Sequence, residues 1–303
     1  MSAQIFIDGQ AGTTGLGIAQ RLQRAGGFSL LTLEDADRKD PKARAQAMAQ
    51  ADVTVLCLPD DAAREAVALA PKGARILDAS TAHRVMDGWV YGFAEALPGQ
   101  AQRIAQAQFV SNPGCYATGC IALLRPLTAL GLLAPDAPVS INAISGYSGG
   151  GKAMIADHET SGGPAFELYA LGLQHKHLPE IMRYGGLKRS PVFVPSVGHF
   201  AQGMLVCIPL FLEHLRISGT PENLVDAFAD YYAGQKNINV HRGIWSQNLD
   251  PQGLNESDSL DIFVCANEAA GQVVLIARLD NLGKGASGAA VQNIRLMTGV
   301  GDV

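Results

Sequence analysis

The sequence predicts an α/β fold with a parallel sheet, followed by a second domain of the α+β class. Over the first 80 residues, short apolar runs alternate with segments of helical spacing. From about residue 137, apolar runs follow one another with one clear helix among them. The chain has 303 residues, which is enough for two domains because single hydrophobic cores tend to stop growing at roughly 250–300 residues.

The first domain is predicted to be a βαβαβαβ succession. Its strands are expected at residues 5–7, 30–33, 53–56 and 75–77. Its helices are expected to begin at Thr14, Pro41 and Asp61. Such an alternation forms a parallel sheet with helices on both faces, and ligands then bind at the carboxyl ends of the strands.

The second domain is predicted to contain a mostly antiparallel sheet. Apolar runs bounded by turn residues predict strands at 138–144, 191–197, 204–212, 259–266 and 272–279, with a helix at 221–232. The tail 285–297 has helical spacing, with Ala289, Ile294 and Met297 on one apolar face. We expect this helix to pack on the first domain. The predicted domains are therefore 1–114 completed by 285–303, and 115–284.

Composition argues against several classes of partner. The net charge is −5 and no basic tract is present, so the chain lacks the clustered Lys and Arg that bind nucleic acid. No apolar run approaches the ~20 residues that span a bilayer, and the N-terminal segment lacks the features of a secretory signal. Five cysteines without a CxxC pair fit a reduced protein. We therefore expect a cytoplasmic protein with neither nucleic-acid nor membrane partners.

A glycine-rich loop follows the first predicted strand. Gly9, Gly12 and Gly15 have GxxGxxG spacing and lead into a predicted helix, with Thr13 and Thr14 between them. Gly9 suits a tight turn, Gly12 the approach of a pyrophosphate to the backbone, and Gly15 the close packing of helix and strand. In its βαβ context the loop predicts a Rossmann-type dinucleotide-binding domain. A flexible glycine turn is the alternative interpretation of the bare pattern.

The residues beyond the second predicted strand give opposing indications about the dinucleotide. Glu34 and Asp35 lie about 20 residues past the loop, where an acidic residue binds the ribose hydroxyls of NAD. Arg38 and Lys39 follow at once and could pair with the 2′-phosphate of NADP. A solvated charged loop would explain the same residues.

Cys115 is the candidate nucleophile. It lies where a loop is predicted to enter a helix, and the N–H groups and dipole at a helix N-terminus favour a thiolate over a thiol. The other four cysteines lie in apolar segments or inside that helix and are expected to be core residues. A buried structural role is the alternative for Cys115. A nicotinamide domain with an activated thiol predicts aldehyde-level redox chemistry through a hemithioacetal and a thioester.

Four blocks of sequence carry a family resemblance. They are SNPGCYATG at 111–119, SGYSGGGK at 145–152, HKHLPE at 175–180 and DNLGKGASG at 280–288. With these blocks the chain resembles the N-acetyl-gamma-glutamyl-phosphate reductases, from the first glycine loop to the C-terminal helix. The short length and the segment 58–61 resemble the shorter subgroup of that family.

The resemblance implies an activity and an architecture. The activity is the NADPH-dependent reduction of N-acetyl-L-glutamyl 5-phosphate to the 5-semialdehyde and phosphate, through a thioester on Cys115, in arginine biosynthesis. The implied cofactor is NADP(H). The implied architecture is shared with aspartate-semialdehyde and glyceraldehyde-phosphate dehydrogenases, in which residues 115–284 would form a catalytic and oligomerisation domain. A homodimer or homotetramer is expected.

Two of the seven histidines lie in one constellation, His175 and His177. No HExxH, CxxC or third histidine at ligand spacing accompanies them, so we expect no metal. An acid/base role suits a histidine because its pKa lies near neutrality. We choose His177 for this role, because Pro179 should hold Leu178 away from the helical region and limit the backbone after His177, and because the family resemblance places its histidine before the x-Pro-Glu step.

The resemblance and the residue types together give the remaining site residues. Those expected to bind substrate are Arg84, Asn112, Ser148, Lys152, His175 and Glu180. Those expected to bind cofactor beyond the first loop are Arg38, Lys39, Asn281 and Gly285. A mobile loop at 146–152 and a Gly/Ala loop before a packed helix at 281–288 are the structural alternatives.

Two other functions remain open from the sequence. One is the reduction of aspartyl phosphate or another acyl phosphate in the same architecture, since sequence does not fix the shape of the acyl pocket. The other is a non-catalytic NADPH-binding sensor. Reactivity of Cys115 towards iodoacetamide at neutral pH would separate an enzyme from such a sensor.

Overall fold

The computed structural model describes residues 2–301, and within them the chain divides into two compact units. The first unit contains residues 2–113 and 286–301, and the second contains residues 114–285. Each border lies one residue from the domain border expected from the sequence. The assignment of dinucleotide binding to the first unit and of catalysis to the second stays a prediction.

The secondary structure of the two units follows in chain order. The strands are β1 (Ala3–Asp8), β2 (Phe28–Leu31), β3 (Val53–Leu56), β4 (Ile76–Asp78), β5 (Val90–Tyr91), β6 (Phe109–Ser111), β7 (Ser140–Gly146), β8 (Phe166–Leu168), β9 (Val192–Gly198), β10 (Met204–Phe211), β11 (Ile238–Val240), β12 (Leu260–Asn267) and β13 (Gln272–Leu279). The helices are α1 (Thr13–Ala25), α2 (Pro41–Gln50), α3 (Asp60–Leu69), α4 (Gln100–Gln106), α5 (Cys115–Ala129), α6 (Gly151–Thr160), α7 (Leu178–Gly185), α8 (Glu222–Tyr231) and α9 (Gly288–Thr298).

The first unit is built on a six-stranded sheet in the order β2-β1-β3-β4-β6-β5, and all its neighbouring strands are parallel. The predicted α/β fold with a parallel sheet is confirmed. β2 begins two residues earlier than predicted, because Gly26 and Gly27 adopt positive φ after α1 and turn the chain directly into the strand. The chain order reverses between β1 and β3, and the ligand crevice of such a sheet lies at the carboxyl ends of these strands.

Helix α9 supplies part of the core of the first unit. Its buried residues Val291, Ile294 and Met297 form one apolar cluster with strand residues such as Ile5 and Val55. The first unit is therefore assembled from two stretches of chain that are far apart in sequence.

The second unit is built on a seven-stranded mixed sheet in the order β11-β12-β13-β10-β7-β9-β8. Four of its neighbouring pairs are antiparallel, and the pairs β11–β12 and β7–β9 are parallel. The predicted α+β class with a mostly antiparallel sheet is confirmed. On β10, alternate residues such as Val206 and Ile208 are buried, and α5 lies against β10 and β13 on the same unit.

Several elements have no counterpart in the sequence prediction. Helix α6 begins within the loop expected at 146–152. Only His158 of its residues is buried, so the sequence has no apolar stripe there from which a helix could be predicted. Helix α7 begins at Leu178, so the expectation that Pro179 keeps Leu178 out of a helix is wrong. Proline is accepted in the first turn of a helix, where its missing N–H would have no helical partner in any case. Within residues 2–301, the helices are all too short or too polar to cross a membrane.

Candidate active site and cofactor loop

In the first unit, the glycine loop is shaped by two close backbone approaches. Gly9 has a φ of 89°, and a Cβ there would collide with the carbonyl oxygen of Cys57 at the end of β3. A Cβ at Gly15 would lie 2.8 Å from both the Cα of Gln10 and the carbonyl oxygen of Gly9. Gly12 differs, because its added Cβ would meet only the Gly9 oxygen at 3.5 Å. Close backbone packing therefore requires glycine at positions 9 and 15, whereas Gly12 leaves space beside its backbone.

The N-terminus of α1 carries backbone N–H groups that no side chain of its N-cap residue satisfies. The N-cap residue is Gly12, and Thr13, Thr14 and Gly15 form the first turn. By contrast, α2 is capped by Asp40, whose carboxylate accepts from the N–H groups of the second and third helical residues. An uncapped helix start beside a glycine loop is the arrangement that binds a pyrophosphate. These residues fit a dinucleotide.

The two basic residues expected to select NADP lie on an exposed turn. The Arg38 guanidinium is 2.8 Å from the Asp35 carboxylate, and both side chains are exposed. Lys39 is also exposed. Arg38 therefore pairs with one of the two acidic residues whose presence favoured NAD. A different arginine, Arg44, contacts the residue that precedes the glycine loop. It donates from Nε and Nη2 to Asp8, the last residue of β1, at 3.0 and 2.7 Å.

In the second unit, Cys115 occupies the first position of α5, and Gly114 is the N-cap residue. The side chain is partly buried. A Cβ on Gly285 would lie 2.9 Å from the Cβ of Cys115, so the backbone at Gly285 packs directly against the candidate nucleophile. Gly285 belongs to a single turn of π-helix over Gly283–Ser287, and its N–H donates to the Asp280 carbonyl oxygen at 2.9 Å.

Glu180 links the Cys115 turn to the candidate acid/base. Its carboxylate is buried, with 1% of the residue exposed. Oε2 accepts from the N–H of Gly114 at 3.1 Å, and Oε1 lies 3.9 Å from Nε2 of His177. The two oxygens of one carboxylate therefore face the residue before Cys115 and the imidazole of His177.

An aromatic cluster surrounds the two histidines. The ring of Tyr116, the residue after Cys115, lies 6.0 Å from the His175 ring and 6.1 Å from the His177 ring. Phe193 of β9 packs edge-on against Tyr116 at 5.5 Å and against His175 at 5.1 Å. Residues 115–116 and 175–177 are thus brought together within the second unit.

The block at 145–152 forms a tight turn followed by the start of α6. Gly146 allows this turn to approach residues 201–202, since a Cβ there would lie 2.6 Å from their backbone. Ser148 is buried, and its hydroxyl accepts from Nδ2 of Asn281 at 2.9 Å. Asn281 Oδ1 accepts from the Gly203 N–H at 2.7 Å. Asn281 therefore braces the turn inside the second unit, while Lys152 is exposed on α6.

Arg84 and Asn112 belong to the first unit. Arg84 is buried, and its Nε donates to the Asn112 carbonyl oxygen at 3.0 Å. The Asn112 amide donates to the Ala286 carbonyl oxygen at 3.0 Å and accepts from Asn293 of α9 at 3.1 Å. Both predicted substrate residues therefore hold the loop after β6 in place, and their contact with substrate stays a prediction.

Some residues of this region had no individual role in the sequence prediction. Tyr116 stands beside Cys115 in its block and could have been singled out. Tyr169, which follows β8, lies outside all four sequence blocks. Asp280 is fully buried and accepts from the N–H groups of Leu282 and Glu256 at 2.8 and 2.9 Å, and Lys284 is 1% exposed. Among residues 2–301, the structure contains no group of three or more His, Cys, Asp or Glu side chains that could hold a metal.

Comparison with known proteins identifies similar sequences over nearly the full chain. The family model described as "Semialdehyde dehydrogenase, dimerisation domain" matches residues 115–281. The chain is 51% identical to a protein of Pseudomonas putida named N-acetyl-gamma-glutamyl-phosphate reductase 2, over 97% of this chain and 96% of that protein. Proteins of Chelativorans sp. and Brucella suis named N-acetyl-gamma-glutamyl-phosphate reductase are 50% and 48% identical, covering at least 98% of each chain.

Solved structures share the fold at low sequence identity. Aspartate semialdehyde dehydrogenase II of Vibrio cholerae has a TM-score of 0.72 at 14% identity, over 99% of both chains. The aspartate semialdehyde dehydrogenase of Candida albicans, solved with NADP, has a TM-score of 0.68 at 13% identity, over 98% of this chain and 99% of that one. These similarities establish the fold alone.

Proposed function

This chain belongs to the family of N-acetyl-gamma-glutamyl-phosphate reductases, and on that basis we propose that it reduces N-acetyl-L-glutamyl 5-phosphate to N-acetyl-L-glutamate 5-semialdehyde with NADPH. The chain is an oxidoreductase of the semialdehyde dehydrogenase family. The names of its relatives support this substrate and a place in arginine biosynthesis.

The observation that carries the proposal is the linkage of Cys115 to His177 through Glu180. A thiol at the first position of a helix is favoured as thiolate. An imidazole held beside the same turn can deliver and accept a proton at the reacting oxygen. A buried carboxylate 3.9 Å from Nε2 also stabilises the imidazolium form of His177.

The first step is the formation of a thioester. The Sγ thiolate of Cys115 attacks the acyl carbon, and phosphate leaves with the electrons of the C–O bond. With the acyl carbon bonded to Cys115, backbone N–H groups at the start of α5 would be available to stabilise the oxyanion that develops on the carbonyl.

The second step is reduction and release. NADPH, when bound, supplies a hydride to the thioester carbon. His177 protonates the resulting oxyanion to give a hemithioacetal. It then takes the same proton back as the C–S bond breaks, so that the aldehyde departs and Cys115 returns to thiolate.

For the cofactor, we propose binding through the uncapped start of α1, with the Gly9–Gly15 loop around the pyrophosphate and Arg38 and Lys39 at the 2′-phosphate. Pairing with Asp35 lessens the repulsion that this carboxylate would exert on the phosphate. The ratio of kcat/KM for NADPH and NADH, before and after Arg38→Ala, tests this choice. A preference for NADH in the unmodified enzyme would refute it.

One assay tests the proposed function as a whole. We expect phosphate-dependent reduction of NADP by N-acetyl-L-glutamate 5-semialdehyde, with aspartate 4-semialdehyde as the competing substrate. A higher kcat/KM for aspartate semialdehyde would contradict the proposed substrate. NADPH binding without turnover of either aldehyde would contradict the enzymatic mechanism and favour a sensor.

We further propose that the enzyme acts as a homodimer or homotetramer. The description of the matched family model supports self-association of residues 115–281. The second sheet offers a surface for it, because Pro209 and Phe211 are exposed near the end of β10. A cavity of about 510 Å³, with an apolar lining, opens at the same place between β10, β13 and the start of β7.

A further inference from the structure

Tyr169 is a half-buried residue that follows the exposed edge strand β8 and has no role in the proposed mechanism. Its backbone N–H donates to the Pro195 carbonyl oxygen of β9 at 3.3 Å. Its hydroxyl lies 3.4 Å from Nε2 of His175 and also bonds to the hydroxyl of Tyr116. Tyr169 therefore contacts both Tyr116, which follows Cys115, and His175.

The tautomer of His175 follows from its hydrogen bonds. The backbone N–H of His177 donates to Nδ1 of His175 at 3.1 Å. A nitrogen that accepts carries no proton, so the proton of the neutral ring resides on Nε2. Nε2–H then donates to the hydroxyl oxygen of Tyr169.

The direction of the remaining bonds follows from the acceptor at the far end. Tyr116 donates its hydroxyl proton to the Ser196 carbonyl oxygen at 2.7 Å, and a carbonyl oxygen can only accept. Tyr169 must therefore donate to the Tyr116 oxygen. Burial raises the pKa of Tyr169 to about 12 and also raises that of Tyr116, so both phenols keep their protons near neutral pH.

The result is a directed chain of hydrogen bonds. It starts at the His177 backbone N–H, passes through His175, Tyr169 and Tyr116, and ends on β9. We propose that Tyr169 is a positioning residue: by accepting from Nε2–H it keeps the His175 ring where Nδ1 accepts from the His177 N–H, and it thereby fixes the backbone at His177 and the turn that carries Cys115. This inference rests on the proposed function for its catalytic consequence, but the tautomer does not depend on any substrate.

The same chain assigns His175 a role other than the one expected from the sequence. An imidazolium has N–H groups on both nitrogens, so charging His175 would break its bond from the His177 backbone. The geometry thus favours a neutral His175 that supports its neighbour over a cationic His175 that binds the anionic end of a substrate.

The test is Tyr169→Phe, which removes one hydroxyl and retains the ring. Tyr184→Phe, on α7, is the matched control. Long-range ¹H–¹⁵N spectra of the histidine rings report the tautomers directly. We expect a single Nε2–H form of His175 in the unmodified and control enzymes. In Tyr169→Phe we expect a mixture of tautomers, because a ring that has lost its partner at Nε2 can turn Nδ1 away from the His177 N–H. We also expect kcat to fall about 10-fold in Tyr169→Phe, with KM for the acyl phosphate within twofold, since misplacing catalytic groups lowers the rate of chemistry.

A second variant shows whether the effects share one chain. His175→Asn retains an acceptor for the His177 N–H and loses the link to Tyr169, so its combination with Tyr169→Phe should lower kcat no further than either change alone. A single Nε2–H form of His175 in Tyr169→Phe, as in the unmodified enzyme, would overturn the inference. A wild-type chain that shows the Nε2–H form, and responds to Tyr169→Phe, yet reduces no N-acetylglutamyl phosphate would refute the proposed function and leave the inference standing.

Discussion

At the scale of single residues, burial controls which thiols of this chain can react. Burial raises the pKa of Cys57 to about 12 and that of Cys207 to about 11. It also raises the pKa values of Cys120 and Cys265. At pH 7.5, fewer than about one in a thousand Cys207 side chains would be thiolate, whereas Cys115 lies at a helix N-terminus.

We therefore predict that iodoacetamide at pH 7.5 modifies one thiol per chain. Cys115→Ala should leave no rapidly modified thiol, should abolish turnover, and should keep the Kd for NADPH within a few-fold, because the thiol bonds to substrate and the cofactor is held elsewhere. Intact-mass spectrometry and a fluorescence titration make the measurements. Rapid modification of a second cysteine, or turnover above about a tenth of wild type in the variant, would contradict this assignment.

The backbone of Gly285 packs against the Cβ of Cys115 and leaves no room for a side chain. Gly285→Ala should displace the thiol and lower kcat by about 10- to 100-fold, while the Kd for NADPH changes less than twofold. The control is Gly172→Ala, since among the residues that the structure describes only its chain neighbours could lie within 4 Å of a Cβ there. A large rise in the Kd for NADPH with normal alkylation of Cys115 would instead support the cofactor role expected from the sequence.

The position of a site residue could be predicted where neighbouring residues in the sequence determine it, and not where distant segments do. The position of Cys115 at a helix start could be predicted because a loop, a glycine and an apolar run adjoin it in sequence. The contact of Glu180 with the Gly114 N–H spans 66 residues, so it cannot be predicted from the sequence around either residue. Tyr169 joins its chain of hydrogen bonds through three other segments, and only the folded sheet brings them together.

Among the helices, α1 begins without a side-chain cap, at Gly12. Gly12→Asp places at the N-cap a residue that this position prefers, and the backbone there, at φ −75° and ψ 161°, accepts a side chain. We expect an unchanged or higher Tm, together with at least a 50-fold rise in the Kd for NADPH, because the carboxylate takes the N–H groups and repels the pyrophosphate. Gly12→Ala, which adds bulk without charge, is the control. Weaker binding in Gly12→Ala to the same extent would show that space and not charge is decisive.

The exposed end of β10 carries a prediction about assembly. Phe211 is 50% exposed beside the apolar cavity, so Phe211→Glu should weaken self-association by placing a charge in an apolar contact. Leu130→Glu is the control, because Leu130 is equally exposed, at 51%, at the end of α5. Light scattering after gel filtration gives the mass of each variant. An unchanged oligomer in Phe211→Glu would place the interface elsewhere.

The elements that could be predicted are those whose burial gives a regular pattern. Strands β1, β3 and β13 are apolar runs between turn residues and were predicted to within two residues. Helix α6 presents no apolar stripe, helix α7 has only eight residues, and β5 has only two residues. Such elements are fixed by contacts with the rest of their unit, which no local pattern records.

At the scale of the whole molecule, the buried thiols predict loss of stability in alkali. In the unfolded chain the cysteines ionise near their ordinary pKa of 9.0. In the folded state the pKa of Cys57 is raised to about 12, mainly by burial and further by the negative charges of Asp78 and Asp8. The stabilisation is complete below pH 9 and is lost as the pH rises from 9 towards 12. Urea unfolding at pH 8 to 11 should show a falling free energy of unfolding, with a shallower fall in Cys57→Ala. Equal slopes in both proteins would rule out Cys57 as a contributor.

The division of the first unit into two distant stretches has a consequence for synthesis of the chain. A ribosome completes all of the second unit before it makes α9, whose Ile294 and Met297 fill the core of the first unit. Residues 2–113 must therefore wait, with apolar surfaces such as those of Ile5 and Val55 uncovered, through the translation of more than half the protein. We therefore expect the second unit to complete its folding before the first, although it is synthesised later. The nascent first unit should be the part of the chain that most needs a chaperone.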